Sequence, residues 1–267
     1  MIAFIGLVRF NLSLVERAQS FTSGYSTFSS YLLVGFWVLI CLSTDIKKGF
    51  ILKSVLLALI FSAVITSLGR TNIVILLVLF IAGFFLKKIN IKETSVIILL
   101  TVLISAVSFY NNSVEANARM EQPASLSDRD VLLKGSEDLF LEFKNPILGY
   151  GPRTFKDIFP YKEMLTDKGI GSWHNDFIQI YFESGILGLA ALLTIIVVTY
   201  IFLIKLLKNN IDNEYKIMLL GVLLGLSGLI LSALTAGFID SPVLSLVFAF
   251  LISLVSGINY LVKPSER

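Results

Sequence analysis

The sequence predicts an all-α protein: a polytopic membrane helix bundle of about seven transmembrane helices, with one long extracytoplasmic loop that carries an amphipathic helix. Three observations predict it. Of 267 residues, 55% are hydrophobic and 15% charged, whereas a soluble domain carries roughly 25% charged residues. The mean hydropathy is +0.83. The apolar residues also fall into blocks, several of them close to the roughly 20 residues that cross a hydrocarbon core.

In chain order the blocks give spans at about 28–44, 50–68, 72–87, 94–110, 180–204, 215–236 and 241–261. Lysines and arginines concentrate in alternate connections. Lys47 and Lys48 lie in one, Lys87, Lys88 and Lys92 in the next, Lys205, Lys208 and Lys216 in a third, and Lys263 and Arg267 in the tail. By the positive-inside rule these four sites are cytoplasmic, and the connections near 1–27, 69–71, 111–179 and 237–240 are outside. The expected organisation is an N-terminal transmembrane part (1–110, about four helices), an extracytoplasmic loop (111–179) and a C-terminal transmembrane part (180–267, about three helices) with a cytoplasmic C-terminus. Met1 to Val8 is apolar but too short to span. It reads as the tail of a helix whose beginning is missing, so the chain is expected to be N-terminally incomplete.

The long loop holds eight basic and eleven acidic residues. Within it, Ser127-x-x-Asp130 has the form of a capping box. It opens an amphipathic helix to about residue 143, with Leu132, Leu133, Ser136, Leu139, Phe140 and Phe143 at helical spacing. Arg129 is in register with Leu133, Ser136 and Phe140 and is expected to face the apolar side. Asn145–Pro146 and Gly149–Tyr150–Gly151–Pro152 then break the chain into turns. Cys41, the only cysteine, sits in an apolar block, so no intrachain disulfide forms. The absence of a polybasic run and of a Cys/His cluster argues against nucleic acid and structural zinc. Asp128-x-Asp130 is explained by a helix start at least as well as by a metal pair, and no metal is expected.

His174 is the only histidine. It is followed by Asn175, nine residues, Gly185, two residues and Gly188. Eleven helical residues advance about 1100° and fourteen about 1400°. A helix beginning near His174 would therefore put His174, Gly185 and Gly188 on one face. The imidazole would sit at the outer mouth, with the glycines below admitting a neighbouring helix. Arg70 falls in an outer connection, against the usual charge bias. Glu183 and Asp240 lie near the outer ends of spans, as functional carboxylates or as salt-bridge partners of an arginine.

The His174-Asn175-x9-Gly185-x-x-Gly188 pattern resembles the signature of the O-antigen ligase and O-antigen polymerase family. Arg129-x-x-x-Leu133 is similar to the family's Arg-x-x-x-Leu element, and NPILGYG (145–151) to its Asn-Pro-x-x-Gly-x-Gly stretch. Ser67-Leu68-Gly69-Arg70 resembles the family's arginine-bearing external turn, and Arg17 to Tyr31 is a weaker likeness. The resemblance runs in order over about residues 15–200, with fewer helices before the loop than family members generally have. It implies a metal-independent glycosyltransferase of the bacterial inner membrane, with its active site on the extracytoplasmic side. Such an enzyme moves a glycan from a polyprenyl-diphosphate carrier to an acceptor saccharide or a second lipid-linked glycan, in cell-surface polysaccharide biosynthesis. In that scheme Arg70, Arg129 and His174 are catalytic: the guanidinium groups hold the diphosphate, and the imidazole takes the acceptor hydroxyl proton. Arg17, Arg153, Asn175, Gly185 and Gly188 are expected to bind substrate. No cofactor or nucleotide sugar is implied. The rival readings are a transporter or flippase for lipid-linked sugars, and an inactive truncated scaffold. A transporter predicts inverted repeats and mid-membrane charges, and the sequence shows neither.

Overall fold

The structure is a computed structural model that describes residues 1–21, 24–42, 50–86, 89, 91–112, 127–166, 171–235 and 237–262. Among these residues all regular structure is helical, as expected where lipid offers the backbone no hydrogen-bonding partner. The helices are α1 (Ile2–Asn11), α2 (Tyr25–Leu42), α3 (Phe50–Thr66), α4 (Arg70–Phe85), α5 (Ile91–Asn111), α6 (Ser127–Leu141), α7 (Phe155–Ile158), α8 (Lys162–Thr166), α9 (Asp176–Lys208), α10 (Asn213–Ala233) and α11 (Pro242–Val262). Of the seven spans expected from the sequence, α5, α9, α10 and α11 are long and apolar enough to cross a membrane. The other three correspond to the shorter apolar helices α2, α3 and α4. The Met1–Val8 segment belongs to α1, which buries Ala3, Gly6, Leu7 and Phe10. Lys47, Lys48, Lys87, Lys88, Lys263 and Arg267, which carry much of the orientation argument, lie outside the described residues.

Hydrogen bonds gather alternate helix termini at one end of the bundle. Asn11 of α1 donates to Ser108 Oγ near the end of α5 (2.9 Å), and Ala18 N–H donates to the carbonyl of Thr66 at the end of α3 (3.0 Å). The N-termini of α2, α4, α9 and α11 and the C-terminus of α10 join the same end through the contacts described below. The opposite end carries a buried ion pair, Lys53 Nζ to Glu93 Oε1 at 3.3 Å, which clamps the start of α3 to the start of α5. Either partner alone would leave an uncompensated buried charge.

The α2–α10 pair is the tightest in the bundle, and glycine is the cause. A Cβ on Gly221 would approach Cys41 Cβ to 3.1 Å and one on Gly228 would lie 3.7 Å from Leu33 Cβ, while Gly225 faces Val34 and Trp37; Gly228 also admits Leu79 of α4. Small residues at this spacing let backbones approach where apolar burial alone gives helices no reason to associate.

Above this seam sits a buried polar network. Asn72 Nδ2 donates to Ser29 Oγ (2.6 Å) and Ser30 Oγ (3.1 Å), Ser232 donates to Asn72 Oδ1 (2.9 Å), and the Ser30 and Ser232 hydroxyls are 2.6 Å apart. All four residues are buried. The network ties α2, α4 and α10 together two residues below Arg70. Asn72→Ala strands buried hydroxyls and is expected to cost about 1–3 kcal/mol. A thermal unfolding midpoint unchanged from wild type in detergent would contradict this.

Residues of the long loop build a separate small core with the start of α9: Leu132, Leu139, Phe155, Phe159, Leu165, Trp173 and Phe182. The amphipathic helix expected over 127–143 is α6, but its buried row differs from expectation. Leu132, Gly135 and Leu139 face inward, whereas Leu133 and Phe140 are exposed. Gly135 explains the rotation, because a Cβ there would collide with the Phe159 ring, so the aromatic seats on bare backbone. The row that Arg129 shares with Leu133 and Phe140 is thus not the packed one. The side chains of Asp128 and Arg129 themselves lie outside the described residues.

Candidate active site

The candidate site is built at the start of α9. Trp173 is fixed first: its ring stacks on Phe182 (centroids 4.7 Å apart, 22° between planes) and meets the edges of Phe155 and Phe159. Asn175 then caps α9 with extended backbone, its Oδ1 accepting from Phe177 N–H (3.0 Å) and Ile178 N–H (3.1 Å). Asparagine suits this position because its short side chain satisfies two of the helix's unpaired donors. Between these two anchors His174 adopts φ +50°, half-buried. A non-glycine residue in that region is uncommon and marks a position the surroundings dictate.

The following residues hold the α10–α11 connection. Asn175 Nδ2 donates to Leu234 O (3.1 Å). Asp176, fully buried, accepts from Phe238 N–H (2.6 Å) and Ile239 N–H (3.3 Å). Gln179 Nε2 donates to Asp240 Oδ1 (2.7 Å) and more weakly to Glu183 Oε1 (3.4 Å). One helical turn, through Gln179, therefore brings Asp240 near Glu183 although the two are far apart in the chain.

The shared face expected for His174, Gly185 and Gly188 is not formed. His174 precedes the helix, and Gly185 has φ 66° and ψ −167°, so α9 is two helices joined at a kink. The NPILGYG segment fills that break. Tyr150 N–H donates to Phe182 O (2.8 Å) and Gly151 N–H to Glu183 O (2.9 Å), while Ile186 N–H donates to Pro146 O (2.8 Å) and Leu187 N–H to Ile147 O (3.4 Å). The backbone groups freed by the kink are thus paired by the loop. Gly149 and Gly185 are the two points of contact, where a Cβ on either would run into the other strand's backbone. Gly185 admits this loop, not a neighbouring helix. Gly188 lies one turn on, half-buried, where a Cβ would collide with Ser184 of its own helix.

Beside His174, a cleft of about 380 Å³ is lined by Arg153, Phe155, Lys156, Gly171, Ser172, Trp173, Glu183 and Asp240. Arg153 is held at φ 61° in the turn after Gly151, and its backbone N–H interacts with the Glu183 carboxylate. Of the residues singled out from the sequence, the structure brings together Arg153, Glu183 and Asp240, with His174 and Asn175 adjoining. Arg70 is exposed at the first residue of α4, at the same end of the bundle. Gly69 before it offers no side-chain cap. A cation here runs against the preference of the helix dipole, and it adds positive charge to an end that already favours anions. Arg17 is half-buried over the Tyr25 ring, 3.8 Å from its centroid. Sequence reasoning missed Lys156, Trp173, Asp176 and Gln179. For Gln179 a signal existed, since Gln179 and Glu183 stand four apart on one helix face.

Taken together these features define a membrane helix bundle capped by a small aromatic-cored unit, with polar side chains converging where the two meet. A family model described as O-antigen ligase matches residues 55–193, more than half of the chain. The chain belongs to the O-antigen ligase family. The matched stretch contains Arg70, Arg129, Arg153, His174, Asn175, Gly185 and Gly188, and leaves out Arg17 and Asp240. No curated protein and no solved structure gives a significant match.

Proposed function

We propose that the protein is a membrane glycosyltransferase that moves a glycan from a polyprenyl-diphosphate carrier to an acceptor sugar, on the extracytoplasmic side of the bacterial inner membrane. The observation that carries this reading is the single imidazole, His174, held at a dictated backbone angle beside a polar cleft, within the stretch that matches the family. In this reading His174 accepts the proton of the attacking hydroxyl as the sugar–phosphate bond breaks. Arg70 and Arg129 neutralise the charge that grows on the leaving diphosphate, an interaction worth on the order of 2.7–4 kcal/mol per donor when it strengthens in the transition state. Arg17 adds positive charge at the same end of the bundle. Asn175, Gly185 and Gly188 serve substrate indirectly, by shaping the backbone that presents His174 and Glu183.

The test is reconstitution of the purified chain in vesicles with lipid-linked glycan donor and saccharide acceptor. A joined product is expected, with free polyprenyl diphosphate released in equal amount. Movement of donor across the bilayer without joining would replace this reading with a transporter. Neither outcome would leave a scaffold.

A further inference from the structure

We propose that the cleft formed by Arg153, Lys156, Trp173, Glu183 and Asp240 is a saccharide subsite that holds one sugar residue of the acceptor, and that the diphosphate binds elsewhere. The assignment rests on the glycan-transfer reading and deepens it.

The lining is chemically mixed. Two cations and two carboxylates share about 380 Å³, a volume within the range of small-molecule sites. Yet none of the four is in an ion pair with another: among the described residues the only pair within 4 Å is Lys53–Glu93, at the far end of the bundle. Opposite charges that share a cleft without pairing are poised for something between them. Asp240 uses Oδ1 on Gln179 and has no further bond among the described residues. Trp173 lines the same cleft, with its buried indole N–H directed to the Glu183 carboxylate.

A sugar ring meets these demands together. Each hydroxyl both donates and accepts, so one ring can give protons to Glu183 and Asp240 and receive them from Arg153 and Lys156. Hydrogen bonds to charged groups are also the stronger kind. Phe155 and Trp173 supply apolar wall for the ring's C–H surface. A diphosphate fits poorly, because two carboxylates would oppose each of its charges. His174 follows Trp173 directly in the chain, so of the two substrates the acceptor, whose hydroxyl His174 would deprotonate in this reading, is the one assigned to the cleft.

Only two tryptophans occur, Trp37 and Trp173. In the full chain carrying Trp37→Phe, Trp173 reports on the cleft by fluorescence. Titration with methyl glucoside, methyl N-acetylglucosaminide and methyl glucuronide is expected to give a saturable change with at least one of them, and none with inorganic pyrophosphate. The double variant Lys156→Ala/Glu183→Gln is expected to weaken that binding by about tenfold or more, the loss of charged hydrogen bonds. Should Trp37→Phe fail to fold, calorimetric titration of the unaltered protein reads the same binding. Absence of saturable binding by every glycoside, binding of pyrophosphate in their place, or full affinity in the double variant would overturn the subsite. Glycoside binding without any transfer in the reconstituted system would sink the glycosyltransferase reading and leave the subsite standing.

Discussion

If the protein transfers glycan as proposed, replacing His174 with asparagine is expected to abolish that activity while sparing the fold. The imidazole is half-buried and the side chain lies outside α9, so its removal opens no cavity in the bundle. Its backbone is the sensitive part. At φ +50° most residues are strained, but asparagine tolerates this region almost as well as histidine. His174→Asn is therefore the cleaner test beside His174→Ala, because it keeps the turn and removes the base. Loss of a general base lowers turnover by about 10²–10⁴-fold. Both variants should show that loss, the asparagine variant with a wild-type unfolding midpoint and the alanine variant with a lower one. Wild-type turnover in the asparagine variant would remove His174 from the chemistry.

Gly185→Ala should be among the most damaging single methyl additions at the described glycines. At φ 66° and ψ −167° the residue occupies a region open to glycine almost alone, and a non-glycine residue there costs about 1–3 kcal/mol before any contact is considered. The added Cβ would also collide with the carbonyl of Ile147 and the amide of Leu148, both backbone atoms with no freedom to swing aside. Relief requires the loop to lift, and lifting it breaks the four hydrogen bonds that span the kink. Of the groups this unpairs, the carbonyl of buried Phe182 alone adds about 1–3 kcal/mol. Gly185→Ala is thus expected to lower the unfolding midpoint more than Asn72→Ala does and to abolish transfer. Equal stability of Gly185→Ala and wild type would show that the loop does not depend on this contact.

The helical character of the bundle was legible because apolar blocks are long-range patterns that survive local irregularity. Local geometry was harder. Reading His174, Gly185 and Gly188 as one helical face assumed helical angles throughout, and no count of positions reveals a residue that leaves the helix and returns to it. The pairing of NPILGYG with the Gly185 break joins segments some 35 positions apart, and hydropathy carries no trace of it. Gly135 misled in the opposite sense, since a residue without a side chain scores as neutral yet here admits an aromatic ring. Lys156 went unnoticed because a lysine in a four-residue helix reads as a solvated charge. The family signature succeeded where periodicity failed, since it marks positions by chemistry and not by the conformation between them.

The small aromatic core has an implication for how the molecule assembles. All of its buried members lie between Leu132 and Phe182, a contiguous stretch, so closing it demands only short excursions of chain. Low sequence separation favours early, rapid association, and such a stretch behaves as one cooperative block. The unit is in a position to condense as soon as its own segment is available. Its final helical turn, already folded, then hands the chain on to the long apolar run beyond Gly185.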